Sequence, residues 1–327
     1  MSSAPDEVRH WAQARLDARA AKDWAEADRL RAEIEAAGWR IIDRGSHFSL
    51  EPAHAPDVVE AGRTRYGSSA AVPSRLEEQV DAFVTVILLA IDQPGDLART
   101  LAGLRTYAPP GTQVVIVADQ PSPDQETELL ARGGPADRPI GGVLPEIIWT
   151  SERLGHAAAT NAGMRRAVAP VIVLLDTSIE PVGDLLSPLV RALDDASVAV
   201  AGGWGIVSED LRRFEDAPPG DVDAIEGYGL AFRRAELAAR GFLDERFRFY
   251  RNLDIWWSLV LRDNGADRVP RRAVRLAEPL GIRHEHRGYT SVEPAERDRL
   301  SKRNFYRILD RFGARRDLLI VSRPGKG

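Results

Sequence analysis

The chain contains no cysteine. Disulfides and thiolate metal ligands are therefore excluded, and any metal ion must be held by carboxylate, imidazole or hydroxyl groups, a donor set that favours hard divalent cations. Long apolar runs are missing too. The longest, Phe83 to Ile91, is far short of the ~20 residues a membrane-spanning helix needs, and the N-terminus lacks the basic-then-apolar order of a secretory signal. Nor is there an excess of positive charge: 44 Lys and Arg against 49 Asp and Glu give a formal charge of −5, which argues against a generally basic nucleic-acid binder. The expectation is a soluble, cytoplasmic protein whose phosphate contacts are local. What is present is an ordinary globular balance, 44% hydrophobic and 28% charged over 327 residues, enough for one large domain plus a small one, or two medium ones.

Asp6 to Ala37 has helical periodicity, with Val8, Trp11, Ala12 and Leu16 on one face and Trp24, Ala27, Leu30 and Ile34 on another. A break at Lys22-Asp23, a stop at Gly38 and the alternation of Trp39 to Asp43 predict a helical hairpin followed by a short strand, a small appendage over residues 1–51. Residues 52–78, rich in Pro, Ala, Gly and Ser, read as a linker. Over 79–322, apolar runs (FVTVILLAI, QVVIVAD, EIIWT, VIVLLD) alternate with amphipathic helices. That order predicts an α/β fold with a mainly parallel sheet flanked by helices. Ligands of such sheets sit at the carboxyl ends of the strands, where Asp92, Asp119 and Asp176 each stand. One such Asp is most often a turn former or helix cap. Three in successive units point to a site.

The segment ERLGHAAATNAGMRRAVAPVIVLLDTSIEP, Glu152 to Pro181, resembles the signature of glycosyltransferase family 2, in which a Gly-containing turn and an Asn-x-Gly helix precede an apolar strand ending in Asp-x-Asp. Ala90–Leu104 and Val114–Leu130 are similar to the family's first two strand-to-helix turns, and Gly227–Gly265 to its acceptor region. The resemblance implies a Rossmann-like GT-A fold with a nucleotide-sugar-binding half (79–181) and an acceptor half (182–322). It further implies that Asp92 and Asp119 contact base and ribose, that Gly155 lets the backbone approach a diphosphate, that Arg153 pairs with phosphate and that Asn161 holds the turn or the sugar. Asp176 would anchor Mn²⁺ or Mg²⁺. Here the motif reads Asp176-Thr177-Ser178, so a neutral hydroxyl, Ser178, stands where the second carboxylate is expected, with Glu180 two residues further along the chain.

The family's catalytic Glu-Asp pair is replaced by Arg251-Asn252, which leaves Asp254 as the general-base candidate, alongside its reading as a first-turn acid complementing the helix dipole. Trp256 and Trp257 fit either a stacking platform for a sugar or core packing. His284 and His286 in IRHEHRGYTS resemble the histidine that completes metal coordination in many GT-A enzymes, and the sequence does not rank them. A basic face on the helix from Glu296 to Gly313, with Arg299, Lys302 and Arg303, either closes over the donor diphosphate or is solvated.

The implied activity is transfer of a sugar, with inversion, from a nucleoside-diphosphate sugar to a hydroxyl acceptor that is a glycan, a lipid-linked group or a small molecule. Ser178 and Asn252 motivate an alternative, an impaired sugar-nucleotide-binding scaffold or sensor. Separately, Ala18 to Arg44 resembles the C-terminal tail of cysteinyl-tRNA synthetases over about the first fifty positions. Packing or self-association is one reading of that piece and RNA contact the other, the net acidic charge opposing nucleic acid as a partner.

Overall fold

The computed structural model describes residues 4–45, 47–132 and 139–320, and the chain divides into two compact units, Met1–Val58 and Val59–Gly327. In the first, helices Asp6–Ala20 and Trp24–Ala36 are separated by a turn in which Lys22 takes φ 59°. Asp23 caps the second helix by accepting the Glu26 N–H at 3.1 Å. Gly38, at φ 79°, ends it, since a left-handed residue after the last turn suits glycine. The chain then forms an antiparallel hairpin, Trp39–Arg44 with His47–Pro52, of which the sequence reading anticipated the first strand alone. Val8, Ala12, Ile34 and Trp39 share the core of this unit. Trp24 is 59% exposed and does not line the inner face with Ala27, Leu30 and Ile34. Arg15 donates to Asp43 at 2.8 Å, tying the first helix to the hairpin and holding the Asp43 carboxyl below its ordinary range.

The second unit is built on a twisted mixed sheet. Across it the strands run Gly220–Val222, Arg272–Arg275, Val198–Gly202, Gly229–Arg233, Val171–Leu175, Val84–Ala90, Thr112–Ala118, Glu146–Thr150 and Arg63–Tyr66. From Val171–Leu175 to Arg63–Tyr66 every pairing is parallel. Gly229–Arg233 runs antiparallel to both of its neighbours and begins the other half. Thr112–Ala118 is buried at every position, as expected for a strand with both faces covered. Ile87 and Ile172 face one core, shared with helix Leu253–Arg262. Val86 and Leu88 face the other, shared with helix Pro94–Tyr107. Segment 52–78 is not simply a linker. Its Arg63–Tyr66 pairs with Glu146–Thr150, and the guanidinium groups of Arg63 and Arg65 lie over the Trp149 ring at 5.7 and 5.2 Å.

Helix His156–Met164 lies against the central strands because Gly163 presents no side chain there: a Cβ would stand 2.6 Å from Ile87 and 3.1 Å from Val117. The glycine of the Asn-x-Gly pattern is thus a packing requirement. No helix among the described residues is long and apolar enough to cross a membrane.

Candidate active site

The parallel half delivers three acidic residues to one edge, just beyond Ala90, Ala118 and Leu175. Two adjoining clefts open there. The smaller, of about 280 Å³, is lined by Asp92, Asp119, Arg153, Gly155 and Arg248 among others. The larger, of about 660 Å³, contains Asp254, Glu226, Tyr228 and Lys302. Leu89, His156, Asp176, Thr177, Tyr250 and His286 belong to both, so Asp176 stands on the wall that the clefts share.

At that wall Nε2 of His286 lies 3.1 Å from Oδ2 of Asp176, while the Ser178 N–H donates to the other carboxylate oxygen at 2.8 Å. Burial pushes the Asp176 carboxyl up, but the His286 hydrogen bond and charge, with the nearby Ser178 hydroxyl and N–H, outweigh it and leave its pKa lowered. Burial likewise opposes a charged His286, and the bond to Asp176 outweighs it, raising the imidazole. Tyr250 stacks on His286 at 4.6 Å with 17° between planes and packs against His156 on another side. Burial lowers His156 to about 4, so its ring is neutral near pH 7.

His284 goes elsewhere. Its Nε2 lies 2.7 Å from Oε2 of Glu180: Ile282–Arg283 pairs with Ile179–Glu180 and the His284 N–H donates to the Ser178 carbonyl at 2.9 Å, a register that leaves the His284 side chain on the face of the ribbon that carries Glu180. The two histidines therefore do not serve one centre, and Glu180 is engaged by His284 in place of filling the gap left by Ser178. Ser178 itself is buried, and its hydroxyl oxygen has no hydrogen bond of ordinary geometry. Among the described residues no three His, Asp or Glu side chains cluster as a metal-ligand set.

Asp119 is fully buried and its carboxylate is occupied by backbone: it accepts from Leu154 N–H at 2.7 Å and Gly155 N–H at 3.3 Å. Burial raises its pKa, and these donors restrain the rise. With the Thr150 hydroxyl also donating to it at 3.3 Å, the carboxylate shapes the turn at Leu154–Gly155. Gly155, at φ 92°, starts the helix that follows. What approaches it closely is the backbone of Arg248, 3.1 Å from where a Cβ would be, and the first helical N–H groups, His156 and Ala157, donate to the carbonyls of Arg248 and Phe247. Arg153 donates to the Gln120 carbonyl at 3.1 Å and stands 3.8 Å from Asp92, both half-exposed in the smaller cleft.

Asn161 is placed away from the clefts. Its side chain accepts from Leu243 N–H at 3.0 Å and donates to the Leu243 carbonyl at 2.9 Å. It clamps the Leu243–Glu245 segment onto the helix and lines neither cleft.

Asp254 lies in the first turn of helix Leu253–Arg262 and accepts from Gly227 N–H and Ile255 N–H, each at 2.9 Å. Burial drives its carboxyl above the ordinary range, and the two donors offset this in part. Burial also raises Glu226, as do the nearby charges of Asp254 and Asp216. Sequence reasoning did not single out Glu226, Tyr250 or His156. The aromatic-rich FRFY run, Phe247 to Tyr250, was the available signal for the second of them. Asn252 precedes the helix in a left-handed conformation, φ 70°, and donates to the Ser301 carbonyl at 3.0 Å. Trp256 packs on Phe247, while Trp257 is core and also cavity wall. Of the basic face near the C-terminus, Lys302 lines the larger cleft, whereas Arg299 pairs with Glu296.

A parallel half-sheet with acidic strand ends, joined to a mixed half that closes a second cleft over them, is the architecture of a GT-A glycosyltransferase. Residues 85–252, just over half of the chain, match the profile described as Glycosyl transferase family 2, and the chain belongs to that family. Among solved structures it is similar to a mannosyltransferase, PcManGT from Pyrobaculum calidifontis, in complex with GDP-Man and Mn²⁺. That match has 17% identity and a TM-score of 0.52, and covers 76% of this chain and 71% of the other. It is also similar to GalNAc-T7 with UDP, GalNAc and Mn²⁺, at 14% identity and a TM-score of 0.53, covering 72% of this chain and 48% of that one. These likenesses show the fold. A curated relative, the cysteine–tRNA ligase of Opitutus terrae, is 52% identical over 52 residues, 16% of this chain, which spans 11% of that relative's length.

Proposed function

We propose that the protein transfers a sugar from a nucleoside-diphosphate sugar to a hydroxyl acceptor. The observation that carries this is the position of Asp176 on the wall between a cleft holding Asp92, Asp119 and Arg153 and a cleft holding Asp254. In this reading the nucleotide occupies the smaller cleft, with Asp92 and Arg153 as its exposed polar contacts and Asp119 holding the turn beneath it. The acceptor hydroxyl enters the larger cleft beside Asp254. Its oxygen forms a bond to the anomeric carbon from the face opposite the diphosphate, its proton passes to the Asp254 carboxylate, and the bond from the anomeric carbon to the diphosphate oxygen breaks. The configuration inverts, and the nucleoside diphosphate leaves with the bonding pair. A carboxylate made more basic by burial suits that proton transfer.

A divalent cation fits the donors available. Asp176 and His286 would hold it with a carboxylate and an imidazole, beside the buried Ser178 hydroxyl, a donor set open to Mn²⁺ or Mg²⁺. Such an ion, when bound, would offset the charge that develops on the departing diphosphate. The presence of Mn²⁺ with GDP-Man in the structurally similar mannosyltransferase supports this choice of cation and donor class. The domain assignment that goes with it is a nucleotide-sugar-binding half ending near residue 181, an acceptor half to residue 322, and an N-terminal unit that serves packing or self-association.

The test is incubation of the full chain with labelled UDP-, GDP- and dTDP-sugars and Mn²⁺. One donor should release its nucleoside diphosphate, and Asp254→Ala should abolish that release. Tight donor binding without turnover would favour a second reading, a binding-only relative, which the engagement of Asn252 with Ser301 at the helix start supports.

A further inference from the structure

The floor of the larger cleft is set by strand register. Ile87 pairs with Leu174, and Leu174 with Leu230, so these side chains form one row across three adjacent strands on a single face of the sheet. All three line the cleft. Leu89, two residues after Ile87, extends the row. Leu89 and Leu174 keep partial exposure in strands whose other residues are buried. The sheet face is therefore open at that point instead of being sealed by the helix above it. That helix, Leu253–Arg262, supplies Ile255 and Trp257 as the roof, and Asp254 stands beside them. Trp257 is 1% exposed and is held in the core by an edge-on contact with Phe232, ring centroids 5.5 Å apart, so it gives the roof a fixed aromatic face.

The cleft also carries polar groups, among them Arg212, Asp216, Glu226, Arg251 and Lys302, but the Ile87–Leu174–Leu230 row itself is poor for a sugar chain. Hydroxyl groups removed from water need hydrogen-bond partners, and a row of aliphatic side chains offers none. It suits carbon. A cavity of about 660 Å³ lies within the roughly 300–1,000 Å³ range of small-molecule sites, which are mostly apolar with a few polar groups that fix orientation.

Building on the glycosyl-transfer reading, we propose that the acceptor is an amphiphilic alcohol whose alkyl or aryl body occupies the space between the Ile87–Leu174–Leu230 row and Trp257, with its hydroxyl at Asp254. Titration calorimetry of the full chain with n-octyl β-glucoside, kept below its micelle concentration, and with methyl β-glucoside tests this. The octyl compound should bind at least tenfold more tightly. Leu174→Phe, which grows from a partly exposed position into the cavity, should remove that preference, and Leu89→Phe should do the same if the first variant does not fold by circular dichroism. Equal binding of the two glucosides, or a preference unchanged in a folded filled variant, overturns the proposal. UDP and GDP are titrated with Mn²⁺ in the same preparations. Normal nucleotide binding without an octyl preference overturns the acceptor class alone, whereas absence of all nucleotide binding overturns the glycosyl-transfer reading on which it rests.

Discussion

Nε2 of His286 lies 3.1 Å from Oδ2 of Asp176, although the two residues come from opposite halves of the domain. If a divalent cation were held there, these two side chains would offer it a carboxylate and an imidazole in place of their present contact with each other.

The first prediction concerns the missing carboxylate. Ser178→Asp should tighten Mn²⁺ binding by about tenfold, equivalent to about 1.4 kcal/mol, while Asp176→Asn should weaken it by at least as much. Electron paramagnetic resonance of free Mn²⁺ during titration measures both. No gain in Ser178→Asp would remove position 178 from the coordination shell.

The strand ends were legible because an apolar run followed by Asp is a local pattern; Asp92, Asp119 and Asp176 all sit where that pattern put them. Local pattern could not say what each carboxylate meets. Asp119 is used up by the turn at Leu154–Gly155, and Asn161 by Leu243, 82 positions along the chain. The choice between His284 and His286 depends on the pairing of Ile282 with Glu180, a contact between distant segments that no spacing reveals. Arg63–Tyr66 passed for linker because it is short, polar and bounded by glycines. Its place in the sheet depends on its hydrogen bonding to Glu146–Thr150 and its arginines covering Trp149.

A second prediction follows from the half-buried Asp254 carboxyl at the larger cleft. Asp254→Asn should lower turnover by roughly 10²- to 10⁴-fold, the usual scale for a general base, with nucleotide affinity retained. Because burial raises the Asp254 pKa, the acid limb of the wild-type rate profile should lie above the ordinary value of 3.8, and activity should fall as pH drops through it. The effect on stability has the opposite sense. A group whose pKa is raised on folding favours the native state below 3.8 and loses that contribution as pH rises through the shifted value. Asp254→Asn should therefore melt higher than wild type at pH 7, with the gap closing in acid. Scanning calorimetry across pH is the check.

The third prediction uses His156. Folding lowers its pKa from 6.5 to about 4 through burial, so its contribution to stability is intact above 6.5 and is lost as pH falls towards 4. By pH 5 the cost should be about 2 kcal/mol. His156→Gln, which cannot take up a proton, should flatten the melting temperature between pH 6.5 and 5. A variant that retains the wild-type acid slope would assign that slope to other groups.

The fourth prediction separates clamp from binding site at Asn161. Its amide satisfies both backbone groups of Leu243 and donates to Glu245 at 3.0 Å. Asn161→Ala strands the buried N–H and carbonyl of Leu243, and each unsatisfied buried group costs about 1–3 kcal/mol, so chemical denaturation should show a loss of about 2–4 kcal/mol. Asn161→Asp keeps the acceptor for the Leu243 N–H but turns a donor towards Glu245 into a second negative charge, and should be at least as damaging at pH 7. A residue that held the sugar would instead leave stability nearly unchanged and weaken the donor. Equilibrium unfolding paired with nucleotide titration therefore distinguishes the two roles, and the Leu243 bonds favour the clamp, because they carry the segment that leads to Tyr250 and Asp254.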